Sequence, residues 1–322
     1  MLVRKELEVP NERFDLERST LEFISKTRNN NLIKLLFWYQ HRGMSNLVFP
    51  YYPYDLQNVL REEPDRPTLL NPAMKGTFEG SKLNHWLWEG LAGVIDGLMF
   101  IHDPDKSLIG AHFDLKPANI LVDYDGRLII TDFGLARIKG MRLGDRSSLT
   151  AARGTLAYQP PFLKNETDFN TESRLNRTYD IWSMACIMVE MIIYILYGDG
   201  GAKAVIDFER QLFEEDDPHA QAGQFWKLRP EGPFLKECVF ESLEEWDNPN
   251  DPYLKKAANY LQNMLEINPV HPRLSASEIY NKLFATSVTK NLHLLREGFT
   301  QICGVGTLKP LSEMYAPLPD LC

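Results

Sequence analysis

His112-Phe113-Asp114-Leu115-Lys116-Pro117-Ala118-Asn119-Ile120-Leu121 is followed, eighteen residues after Asp114, by Asp132-Phe133-Gly134. Between them stand two short apolar runs, 120–122 and 128–130, separated by a turn that opens Asp123-Tyr124-Asp125-Gly126. Asp-Gly between β-prone runs is a hairpin signal. A hairpin brings its two flanks together, so Asp114, Lys116 and Asn119 on one side and Asp132 on the other are expected at one site.

That set has a chemistry. Phosphoryl transfer needs a carboxylate near the attacking hydroxyl, a cation near the transferred group, and oxygen ligands for magnesium. Magnesium takes hard oxygen donors, which Asn119 and Asp132 supply and His or Cys would not. The two stretches at this spacing resemble the catalytic loop and D-F-G motif of the eukaryotic protein kinases. The lysine two positions after the aspartate is similar to the Ser/Thr branch. The resemblance implies that Asp114 orients the substrate hydroxyl and accepts its proton. It implies that Lys116 neutralises charge on the transferred phosphoryl group, and that Asn119 and Asp132 hold magnesium. ATP and Mg2+ are the implied cofactors, and a protein bearing a Ser or Thr hydroxyl is the implied partner.

Working outward, Gly154-Thr155-Leu156-Ala157-Tyr158-Gln159-Pro160-Pro161 resembles the substrate-side end of an activation segment. Tyr179-Asp180-Ile181-Trp182-Ser183 resembles the start of the central helix of the large lobe, where the aspartate holds the catalytic loop. Residues 46–56 resemble the hinge, with Phe49 as gatekeeper, Pro50 to Tyr52 as the adenine-edge strand, and Asp55 at a ribose-contact position. Leu121 is counted with the nucleotide-binding residues.

Upstream, Phe14, Glu17, Leu21 and Ile24 recur at helical spacing within 11–26. A glutamate inside an apolar stripe needs a partner. Leu2-Val3-Arg4-Lys5 resembles the strand that carries the ATP-binding lysine, so the resemblance supplies one, a Lys5–Glu17 ion pair.

The chain departs from the family pattern at four places. Only four residues precede Lys5, so no glycine-rich loop is present before it. Phe113 stands where the family has Arg, so phosphorylation of Ser147, Ser148 or Thr150 would lack its usual reader. Phe162 replaces the glutamate that pairs with a late arginine, for which Arg273 is the nearest equivalent. Arg273 is therefore expected to be exposed or to have another partner. Pro160 replaces a small alanine.

The remaining elements follow from periodicity. Residues 2–5 are expected to end a strand, and 32–39 and 46–51 to pair as strands. Pro50 and Pro53 end strand character. Residues 61–80 suggest a surface insertion and 139–153 a loop. Helices are expected at 84–102, 179–197, 252–266 and 275–284. The stretch 198–250 looks acidic and irregular with helical pieces. A few strands followed by many helices indicate α+β, and the resemblance implies a bilobal kinase-like fold. Its divisions are 1–52 as a partial small lobe, 53–288 as a large lobe and 289–322 as a tail.

With 322 residues, 44% hydrophobic and 25% charged, the composition is that of a globular protein. A net charge of -9 argues against general nucleic-acid or anionic-membrane binding. The apolar run 181–197 carries Glu190 and follows Asp180, which fits a buried helix better than a membrane span. Cys186, Cys238, Cys303 and Cys322 show neither metal-ligand nor redox spacing, so free thiols in a reducing compartment, cytoplasm or nucleus, are expected. Two functions stand against each other at this point. One is a Ser/Thr protein kinase. The other is a pseudokinase that binds or scaffolds, suggested by the absent glycine loop with Phe113 and Phe162.

Overall fold

The computed structural model describes residues 1–8, 12–62, 78–104, 108–140, 155–161, 172–213, 223–267 and 273–284. Residues 12–13, 62, 139–140 and 172–176 are described in backbone alone. Ser147, Ser148, Thr150, Phe162, Cys303, Cys322, most of the 61–80 stretch and the 289–322 tail lie outside the described residues.

The small lobe is a three-stranded antiparallel sheet with one helix on it. Strand β1 (Leu2–Glu8) pairs with β3 (Met44–Pro50), which pairs with β2 (Phe37–His41), in the order β1-β3-β2. Helix α1 (Glu12–Ser25) lies against the sheet through Phe14, Thr20, Leu21 and Ile24, with Glu17 among them. β1 runs three residues beyond the expected 2–5, because its backbone stays in register with β3 from Leu2↔Pro50 to Glu8↔Met44.

The expected strand at 32–39 is present only from Phe37. Residues 31–33 spend their backbone hydrogen bonds on the large lobe instead. Ile33 N donates to Ile130 O at 2.9 Å and Ile130 N to Asn31 O at 2.8 Å. The Asn31 amide adds a bond to Leu128 O at 2.8 Å.

The large lobe begins with β4 (Tyr54–Asp55), which runs into α2 (Leu56–Glu62). Helix α3 (Trp86–His102) is capped by His85, whose Nδ1 accepts Leu87 N. Two glycines on α3 receive the linker from the small lobe. A Cβ on Gly93 would lie 2.1 Å from Asn31 Nδ2, and one on Gly97 3.1 Å from Leu32. Strand β5 (Leu108–Ala111) leads into the catalytic-loop sequence, and β6 (Ile120–Val122) and β7 (Leu128–Ile130) form the expected hairpin. β8 (Arg137–Gly140) pairs with β5, so the start of the expected 139–153 loop is strand.

Helix α4 (Glu172–Tyr197) is the axis of the lobe. Trp182, Met184, Ala185, Cys186, Ile187, Met188 and Val189 are all fully enclosed. The run Arg177–Leu212 has the length and apolarity to cross a bilayer, but 78% of its apolar window is buried within the protein. A core helix accounts for that composition.

The 198–250 stretch is more regular than expected. It contains α5 (Gly201–Leu212), a hairpin of β9 (Trp226–Arg229) and β10 (Gly232–Leu235), and α6 (Glu237–Trp246). α5 and α6 each bury one face, through Val205, Phe208 and Leu212 and through Val239, Leu243 and Trp246. In α6 the acidic residues Glu237, Glu241, Glu244 and Glu245 lie outside that buried face. α7 (Pro252–Met264) starts with proline at its first position and Asp251 as cap. α8 (Ala276–Leu283) starts with a Ser275–Glu278 capping box.

Candidate active site

The catalytic-loop sequence is held from below by α4. Asp180, fully buried, accepts His112 N at 2.7 Å and Phe113 N at 2.8 Å, and His102 Nε2 lies 3.0 Å from its Oδ2. Two backbone donors converging on one carboxylate fix the loop's shape. Phe113 has φ +65°, a conformation non-glycine residues seldom adopt. Its ring is buried against Ala111, Leu135 and Tyr179, meeting the Tyr179 ring edge-on at 5.6 Å. An aromatic ring therefore fills the place where the family pattern has a cation. His112 also joins the two halves of the site, with Nε2 2.9 Å from Thr131 O.

Asp114 emerges from this loop into a dense set of donors. Its Oδ1 accepts the Thr155 N–H at 2.8 Å and the Thr155 hydroxyl at 3.0 Å. Lys116 Nζ lies 3.1 Å from Asp114 Oδ2 and donates to Thr155 Oγ1 at 2.7 Å. Asn119 Nδ2 donates to Asp114 O at 2.8 Å and to Oδ2 at 3.0 Å. Thr155 belongs to the segment quoted above as substrate-side, but nothing in its own sequence singled it out as a partner of Asp114.

The second half of the site centres on Lys5. Its ammonium is 2.7 Å from Glu17 Oε1 and 3.1 Å from Asp132 Oδ1. Glu17 is only 4% exposed, so the lysine satisfies a carboxylate that burial would otherwise penalise. Burial opposes the Lys5 charge, but Glu17 and Asp132 outweigh it and raise its pKa. Burial likewise pushes Asp132 up, while Lys5, His112 and the Gly134 N–H pull harder and hold its carboxyl below the ordinary value. Asp132 has φ +60°, a bend that turns it from the hairpin toward Lys5.

Above Asp132 and under β1 and β3 lies a cavity of about 410 Å³. Lys5, Glu17, Phe49 and Pro50 line it from the small lobe, and Tyr52, Leu121 and Asp132 line it from the connection and the hairpin. Tyr51, within the expected adenine-edge strand, lines it too, and so do Val3, Leu21, Ile33 and Thr131, which were not expected. Val3 was within reach of sequence reasoning, since it lies two positions from Lys5 and so on the same strand face. Asp55 stands apart from the cavity lining. Its Oδ1 accepts Asn58 N at 2.8 Å and so caps α2.

The donor set suits a magnesium nucleotide. Asn119 is oriented by two bonds from its amide nitrogen to Asp114, which leaves its Oδ1 without a hydrogen-bond partner among the described residues. That oxygen and the Asp132 carboxylate are hard donors. Among the described residues no group of three His, Cys, Asp or Glu forms an alternative metal site. Arg273 has another partner, as its missing glutamate required. Its Nη2 donates to Glu266 O at 2.7 Å, and its guanidinium lies 5.3 Å from the Trp182 ring centroid.

This bilobal architecture, with a lysine tied to a helix glutamate and an Asp-Lys-Asn loop facing an Asp-Phe-Gly turn, defines a class. A family model described as Protein kinase domain matches residues 2–285. The chain belongs to the protein kinase domain family. It is 26% identical over 193 residues to lectin-domain containing receptor kinase VI.4 of Arabidopsis thaliana, covering 60% of this chain and 25% of that protein. It is 30% identical over 173 residues to cyclin-dependent kinase D-1 of Oryza sativa subsp. indica, covering 54% and 34%. With cyclin-dependent kinase 7 of Dictyostelium discoideum it shares 25% over 283 residues, covering 84% and 66%. The chain thus spans about a quarter to a third of the length of the first two relatives.

Proposed function

We propose that this chain is an ATP- and magnesium-dependent protein kinase that phosphorylates Ser or Thr hydroxyls of a protein substrate. The observation that carries the reading is the joint closure of both halves of the site: Asp114, Lys116 and Thr155 within 3.1 Å of one another, and Lys5 bridging Glu17 and Asp132. When bound, magnesium-ATP supplies the γ-phosphoryl group. Lys5 binds the α- and β-phosphates, with Glu17 holding its ammonium in place. Asn119 and Asp132 offer the oxygens for magnesium. Asp114 orients the substrate hydroxyl and takes its proton, and Lys116 balances negative charge beside it. The division at 1–52, 53–288 and 289–322 goes with this reading. So does a reducing compartment, cytoplasm or nucleus.

A second reading, a binding or scaffold module on the same fold, is favoured by one feature. Asp114 already accepts from Thr155, Lys116 and Asn119, so a substrate hydroxyl must displace a donor. One assay separates the two. Labelled γ-phosphate is offered as magnesium-ATP with a generic protein substrate, and Asp114→Asn is run in parallel. Transfer by the wild type that disappears in the variant supports the kinase. Magnesium-ATP binding without transfer by the wild type moves the assignment to the module.

A further inference from the structure

Lys5, Leu47 and Trp38 occupy one rung of the small-lobe sheet. Lys5 is opposite Leu47 in the β1–β3 register, and Leu47 is opposite Trp38 in the β2–β3 register. Residues directly opposite in an antiparallel sheet point to the same face. All three therefore face α1, and the two ends of the rung both touch it. Lys5 engages Glu17. Trp38 engages Phe14, Arg18 and Glu22, three residues at successive i,i+4 spacing along one ridge of the helix.

The Trp38 contacts are of three kinds. Its indole Nε1 donates to Glu22 Oε1 at 2.8 Å. The Arg18 guanidinium lies 4.5 Å from its ring centroid, within cation–π range. Phe14 meets it edge-on at 6.1 Å. Trp38 remains 39% exposed on an edge strand that is exposed along its whole length, so these contacts cover one side of its ring. The C-terminal end of α1 is tied separately. Lys34 Nζ donates to Ile24 O and Thr27 O, and Leu35 N to Ser25 Oγ at 2.8 Å. Among the described residues, the side-chain hydrogen bonds and ion pairs that reach the middle of the helix from the sheet come from this rung.

We propose that Trp38 is a positioning residue: it seats α1 from the far end of the rung so that Glu17 stays on Lys5. Its consequence for nucleotide binding rests on the kinase reading above, whereas the seating of α1 does not. Arg18 reinforces the seat by pairing with both Asp15 and Glu22 at 3.4 Å, which holds its guanidinium over the indole.

The test compares wild type, Trp38→Ala, Trp38→Phe, Glu17→Gln and the Trp38→Ala/Glu17→Gln double variant in the full chain. Hydrogen exchange of the α1 amides is followed beside that of α3 and α4, and affinity for magnesium-ATP is measured by calorimetry. Trp38→Ala is expected to speed exchange in α1 alone and to weaken nucleotide binding by about tenfold. Trp38→Phe, which keeps the ring contacts and loses only the bond to Glu22, is expected to retain most of both. In the Glu17→Gln background the further loss from Trp38→Ala should vanish, because the seat no longer has a carboxylate to present. Unchanged α1 exchange in Trp38→Ala overturns the proposal, and so does a full tenfold loss in both backgrounds. A wild type that binds no nucleotide refutes the kinase reading instead. Exchange then decides the seat alone, faster in Trp38→Ala supporting it and unchanged overturning it.

Discussion

Asp180 Oδ1 accepts the backbone N–H of Phe113 at 2.8 Å across 67 residues of sequence. With His112 N and His102 Nε2 on the same carboxylate, this contact turns a buried charge into the mould for the catalytic loop. Asp180→Asn keeps the shape but replaces one acceptor oxygen with a donor, so one N–H faces an N–H in a site without water access. We expect a stability loss of about 3 kcal/mol and a fall in phosphate transfer larger than that loss explains. Denaturant midpoints beside initial rates check both.

Phe113 is only 2% exposed, and the described residues its ring packs on, Ala111, Leu135 and Tyr179, offer no carboxylate to a cation. Phe113→Arg, which restores the family residue, is therefore expected to destabilise the fold by about 2–4 kcal/mol rather than improve activity. By the same argument, simultaneous replacement of Ser147, Ser148 and Thr150 by Ala should leave transfer within about twofold of wild type, well inside a 1.4 kcal/mol change. Loss of activity in the triple variant would show that another group reads phosphate there.

The catalytic loop, the hairpin and the Asp-Phe-Gly turn were legible because their residues lie close in sequence and each type has a narrow chemistry. The Lys5–Glu17 pair was legible for a different reason: a glutamate inside the stripe Phe14, Leu21 and Ile24 demanded a partner. Thr155 and Ile33 were not legible. Thr155 reaches Asp114 across 41 residues, and no local pattern encodes that meeting. Ile33 sits in an apolar run with strand character, and only the tertiary bond to Ile130 takes it out of the sheet. The stretch 198–250 was expected to hold helical pieces, but α5 and α6 were not delimited, because glycines, prolines and acidic residues between and around them obscure their bounds. Asp55 was assigned by position; its Oδ1 accepts Asn58 N and it stands outside the cavity lining.

Gly93 and Gly97 are the floor on which the linker from α1 rests. Gly93→Ala would drive a methyl group to 2.1 Å from the Asn31 amide, which is itself held by Leu128 O. The expected cost is about 1–3 kcal/mol of stability, with faster hydrogen exchange at Asn31 and Ile33. Ala at Gly200, where a Cβ meets nothing within 4 Å, serves as the control.

Glu190 lies at the centre of the large lobe and accepts the Tyr158 hydroxyl at 2.9 Å. Burial first, then Glu209, push its pKa from 4.5 up to about 8, against the pull of Tyr158 and Arg61. Burial alone takes Glu89 up to about 7. The folded state holds protons that the unfolded chain has released, so stability is greatest below about pH 4.5 for these two groups and falls as pH rises. The Glu190 share declines at about 1.4 kcal/mol per pH unit until about pH 8. Glu190→Gln should flatten that slope, leaving stability little changed near pH 5 and raised relative to wild type at pH 8. Denaturation curves from pH 5 to 8 measure it, and an unaltered slope would count against a neutral Glu190.

The bonds from Asn31 and Ile33 to the β7 strand also decide how the cleft can breathe. They tie the linker that follows α1 to the large lobe, and the 3.1 Å pair of Lys5 with Asp132 ties β1 to the same lobe. The small lobe is thus moored at two places, behind the cleft and inside it, and only the inner mooring is made of charges that salt or a bound nucleotide can compete for.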